Sequence, residues 1–306
     1  GRGTGADPAG ATGAARPGGP PPRHRARQPE RRPPPERRPP SRASGGLRDA
    51  RAGAELDVLV LAVGEAGCAG IDLASGAFVR AMWAGKAQDA SLADLVPSSV
   101  VAPGPGGGPP AGEGALDEDE PALLPAPLVP SAPAELPAPL SVVRGRIGAD
   151  PGSSDDPARP EGVVLEGPPD VVDRLAGRRA RRYIEDLLAP ERQPLLGFAG
   201  PTVPFWELSG NRGSLALVEL RRGPELVRRP GERQPRARFS WGGLDQELPL
   251  LDPTLAAAMW GVRRYPVQGA ALAKRLGWLP RYLLIALSGP RGGHCYKVVA
   301  AALPKP

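Results

Sequence analysis

Cys295 beside His294 is the one place in this sequence where a nucleophile stands next to a base. A Cys–His dyad needs both side chains on one side of the chain, whereas adjacent residues of a strand project to opposite faces, so the pair predicts no dyad. The other histidine, His24, lies among prolines and arginines. A zinc site would have to draw on His294, Cys68, Cys295 and a carboxylate, with no ligand spacing to support it. The acidic pairs Asp155-Asp156 and Glu185-Asp186 fall in a turn and on an exposed helix face, where nothing raises a carboxyl pKa for acid catalysis. No catalytic residue, cofactor or metal is therefore assigned.

Anion chemistry has more to offer. Arg174, Arg178, Arg181 and Arg182 gather on one side of a helical pattern, and Arg291 sits in the turn Gly289 to Gly293, where amides and a guanidinium could meet an anion. Arg181 with Glu185 and Arg182 with Asp186 are i,i+4 pairs, so the helix face reads as partly neutralised. The glycines Gly64, Gly67 and Gly70 follow a strand without the G-x-G-x-x-G spacing of a dinucleotide loop and read as hairpin glycines with positive φ. Gly85-Lys86 lacks the rest of a P-loop.

Charge is unevenly spread. The chain carries +6 overall and +8 in residues 1–51, where twelve arginines face Asp7, Glu30, Glu36 and Asp49, which leaves −2 for the remainder. A basic tail is expected, with no long-range field on the body to steer it to nucleic acid. Of 39 basic residues only Lys86, Lys274, Lys297 and Lys305 are lysines. With abundant Ala, Gly and Pro, this bias resembles actinobacterial proteins and makes arginine abundance weak evidence for arginine chemistry.

The elements that must position these residues are interrupted by segments unable to pack. Pro 42 and Gly 41 among 306 residues reach the range in which much of a chain forms no core. Residues 1–53 read as a disordered Pro/Arg-rich tail and 97–139 as a disordered Pro/Gly/acidic linker. Strands are predicted in 54–96 (Leu56 to Val63, Phe78 to Trp83), and the main body in 140–306. There, Leu140 to Ile147, Gly162 to Leu165 and Leu215 to Leu220 read as strands, Leu226 to Arg229 with Arg236 to Trp241 as a hairpin, and Tyr282 to Leu287 with Tyr296 to Ala302 as a second, buried one. The clearest helix runs from an Asp170 cap to Ala189 and buries Val172, Ala176, Ala180, Tyr183 and Leu187; shorter helices follow Asp252-Pro253 and Pro266.

The expected fold is α+β, a mostly antiparallel sheet or small open barrel with one long and one or two short helices. The expected role is non-catalytic binding or scaffolding in the cytoplasm, with a protein or nucleic-acid partner met through the tail and the Arg174 to Arg182 face. Proline breaks the longest weakly charged stretch, Pro121 to Val143, so no membrane span is expected.

Overall fold

The computed structural model describes residues 52–64, 66–84, 137–148, 156–209, 212–229, 232, 234–259, 261–263 and 265–306. The expected tail, except residues 52 and 53, and the linker as far as residue 136 lie outside the described residues. The class is α+β, built as three layers around a sheet that is covered on both sides.

That sheet is made by β7 (Thr202–Pro204), β8 (Leu215–Glu219), β12 (Tyr282–Leu287) and β13 (His294–Leu303), in the order β7-β13-β12-β8 and antiparallel throughout. An antiparallel strand with one wet face alternates apolar and polar residues, but β12 is buried at all six positions, which is why its sequence is an unbroken apolar run. The predicted hairpin is present: Tyr282 pairs with Leu303, and Leu287 with Lys297.

One outer layer is a barrel. The strands β1 (Glu55–Gly64), β2 (Gly67–Asp72), β3 (Phe78–Trp83), β4 (Ser141–Arg146) and β5 (Gly162–Leu165) follow the order β5-β3-β2-β1-β4, with β5 parallel to β3 and the rest antiparallel. Beyond Arg146 the chain meets β5 through an Ile147–Leu165 bridge flanked by Glu166 N–H to Arg146 O and Gly148 N–H to Val164 O, each 2.8 Å, which closes the sheet at one end. Alternation divides the faces: Val58, Val60, Val79, Ala81, Val143, Val163 and their neighbours fill the inside. Leu59, Leu61, Ala69, Ile71 and Val142 pack outward on Tyr282, Leu284 and Leu217 of the central sheet. Gly67 and Gly70 do not adopt positive φ. A Cβ on Gly70 would strike the Leu59 carbonyl, and one on Gly67 that of Ala81, so close strand approach is what requires these glycines.

The other outer layer is the three-stranded sheet of β9 (Glu225–Val227), β10 (Arg236–Trp241) and β11 (Leu244–Pro249), with α2 (Pro253–Ala258) and α3 (Gly269–Leu276). Leu226, Phe239, Leu248, Leu255 and Leu272 pack there against Leu283, Ile285 and Val299. Asp252 caps α2 as expected: one carboxylate oxygen accepts from Leu255 N–H (2.9 Å) and the other from Ala302 N–H (2.6 Å), which ties the helix to β13.

The long helix begins later than its sequence implies. Asp170–Arg174 is a strand, β6, paired antiparallel with β4, and α1 covers only Gly177–Asp186. The β-branched pair Val171-Val172 suits the free edge of β4, and Val172, 46% exposed, bulges out of the ladder where a buried helical residue was expected. Gly177 at φ 55 then turns the chain into the helix, whose Ala180 and Ile184 are buried against the central sheet.

Candidate functional site

Strand β13 presents Cys295 inward and His294 to the half-exposed side, so the two stay apart. Burial, with Asp156 adding to it, pushes the Cys295 thiol up to about 11, and burial alone pushes Cys68 up to about 12; neither is a thiolate near neutrality. His294 lies across a two-residue turn from Arg291, closed by Arg291 N–H to His294 O (2.8 Å) and His294 N–H to Arg291 O (3.0 Å). Gly292 (φ 54) and Gly293 (φ 77) make that turn, so it needs its glycines for geometry alone. Arg291 is half-buried at its start. The Trp206 indole, 72% exposed, stands edge-on to the His294 ring at 5.8 Å.

The arginines separate by neighbour. Arg174 ends β6, while Arg178, Arg181 and Arg182 are exposed on α1. Arg181 bonds Glu185 (2.6 Å) as its spacing implies, and Arg179 reaches back to Asp173 (3.1 Å). Arg174, Arg178 and Arg182 have no ion-pair partner among the described residues; the expected Arg182–Asp186 pair does not form. The first turn of α1 holds no acid, and Ala176 at its N-cap supplies no side-chain bond. Arg178 is thus the unpaired charge at the positive end of the helix dipole, while Asp173 just before the helix holds Arg179 and the Arg174 N–H.

Two buried cations were not singled out in the sequence. Arg80, 3% exposed, points outward from the barrel into the joint with the central sheet, where one Nη donates to Ser214 O (3.0 Å) and Leu287 O (3.1 Å). The Glu161 carboxylate, also buried, accepts from Ser214 N–H (2.6 Å) and its hydroxyl (2.7 Å). Burial pulls Arg80 down to about 10, and the Glu161 charge opposes that fall. Lys297, 2% exposed, donates to Phe198 O at 2.7 Å and stands 4.0 Å from the centre of the Phe198 ring. Its signal was available: Lys297 shares strand parity with Cys295 and Val299, both apolar and inward.

Among the described residues, no group of His, Cys, Asp and Glu is placed to hold a metal ion, and no helix is long and apolar enough to cross a membrane. No protein-family profile, no curated protein and no solved structure matches the chain.

Proposed function

We propose that this protein acts by binding, and that its contact surface is the end of β6 with the arginine face of α1, which takes a polyanion such as the phosphate backbone of a nucleic acid. The observation that carries this reading is the trio Arg174, Arg178 and Arg182, whose exposed guanidinium groups have no ion-pair partner among the described residues and stand at or near a helix start that no side chain caps. Among the described residues, four buried groups that could do chemistry are engaged otherwise: Glu161 on Ser214, Asp252 on two amides, and both thiols held protonated by burial. Twelve arginines in residues 1–51 add to the attraction. The outer face of β2 and β3 is not available for such a contact, because Ile71 and Arg80 bury it against the central sheet.

Fluorescence anisotropy of a labelled 20-mer against salt tests the reading. Three lost phosphate contacts should flatten the slope of log K against log salt by about 2 to 3 in the variant Arg174→Gln, Arg178→Gln, Arg182→Gln. A deletion of residues 1–53, run in parallel, separates the tail's share. An unchanged slope in the triple variant removes α1 from the contact, and no binding at low salt removes the polyanion. A second reading, docking of a protein partner, is favoured by the exposed indole of Trp206. Trp206→Ala would then abolish partner capture and leave the salt titration intact.

A further inference from the structure

After residues 85–136, which lie outside the described residues, the chain re-enters the fold beside the arginine face. Ser141 pairs with Arg174, and Leu140 O accepts the Leu175 N–H at 2.9 Å, so residues 137–140 run into β4 next to the step from β6 to α1. The stretch that ends there is one-sided in charge. Residues 85–136 hold eight acids against Lys86, a balance of −7, so the −2 of residues 52–306 leaves +5 on the rest of the body. Four of these acids are consecutive, Asp117 to Glu120, and Glu135 stands two residues before Pro137. Facing them, Arg179 and Arg181 have acids of their own, whereas Arg174, Arg178 and Arg182 have no ion-pair partner among the described residues.

Reach and spacing both suit a contact. Seventeen residues separate Glu120 from Pro137, and a chain of that length spans about 20 to 25 Å on average. Such a tether holds the acids near the face at an effective concentration on the order of millimolar, enough to populate a charge contact of modest affinity. Alternate residues of an extended chain repeat every ~6.6 Å. Arg178 and Arg182 are one helical turn apart, ~6 Å, so Asp117 with Asp119, or Glu118 with Glu120, matches their step.

We propose that the acidic segment Asp117 to Glu120 occupies the arginine face of α1 in the free protein, as an internal stand-in for phosphates, and that a polyanion must displace it to bind. The displacement rests on the polyanion contact proposed above; the occupancy does not. The arginines of the tail compete for the same four acids, and labelling at single arginines separates the two partners.

Phenylglyoxal labelling of the full chain, read arginine by arginine from fragment masses, tests the contact with no nucleic acid present. Relative to exposed Arg192, Arg178 and Arg182 should react about threefold more slowly at ~0.02 M salt than at ~0.5 M, where the charges are screened. The variant Asp117→Asn, Glu118→Gln, Asp119→Asn, Glu120→Gln should lose that protection at low salt and bind the labelled 20-mer about threefold more tightly than the parent. Equal rates at Arg178 and Arg182 in parent and variant overturn the contact, as does protection confined to Arg31, Arg32, Arg37 and Arg38 of the tail. Protection lost in the variant with no gain in 20-mer affinity overturns the displacement.

Discussion

The joint between barrel and central sheet and the β7 edge of the central sheet each bury one cation, and the two are treated differently. Arg80 at the joint is fixed to two strand-end carbonyls with the Glu161 charge nearby, whereas Lys297 at the edge has a carbonyl, a ring and no acid. A guanidinium delocalises its charge and stays protonated even when burial brings it to about 10. An ammonium concentrates its charge and, at about 8, is close to giving it up. The permanent cation thus lies where two layers meet, and the more acidic one beneath the single segment Leu195 to Pro201.

The largest expected break in this comparison is Arg80→Met. It leaves the Ser214 and Leu287 carbonyls without their donor and Glu161 without the nearby positive charge, and should cost about 3 kcal/mol in urea denaturation. Lys297→Met should do the reverse, with stability unchanged or raised by about 1 kcal/mol, because no acid is stranded by the exchange. Equal losses in the two variants would erase the distinction. Ser214→Ala, which takes the hydroxyl from Glu161 but keeps the amide, should cost about 1 to 2 kcal/mol.

A smaller effect lies in the pH dependence. Between about pH 8 and 9 the unfolded chain keeps the Lys297 proton that the folded protein has lost, so stability rises with pH. Above about pH 9 unfolded thiols ionise while Cys68 and Cys295 stay protonated in the fold, and these two protons outweigh the one, so stability falls. Urea titrations should show a broad maximum near pH 9, under about 1 kcal/mol above the value at pH 7. A steady fall from pH 7 would mean that Lys297 keeps an ordinary ammonium. Least of all, Arg178→Glu on the exposed face of α1 should leave the denaturation midpoint unchanged.

Much of this architecture was legible, for reasons particular to each element. The six apolar residues Tyr282 to Leu287 admitted no reading but a covered strand, and Asp252-Pro253 carried a helix start in two residues. Strand β11, Leu-Asp-Gln-Glu-Leu-Pro, carries no strand signal because its first half is exposed and polar, and β6 reads as helix because Asp170 and Asp173 imitate a cap. The site was less legible still. Arg80 and Lys297 are single charges in otherwise apolar strands; the parity Lys297 shares with Cys295 and Val299 points it inward, while for Arg80 the layer packed above is what shows that the face is dry.

Barrel closure has a consequence for synthesis. Arg80 of β3 pairs with Gly162 of β5, so the first three strands leave the ribosome well before the strand that shuts them. Until Leu165 emerges, the nascent meander shows an unpaired β3 edge and an inner face, Val58, Val79 and Trp83, with nothing from β5 to fill it. A translational pause upstream of that point would hold the chain in its most adhesive form and make it a client for chaperones. The same pause once Leu165 has emerged would meet a barrel able to close.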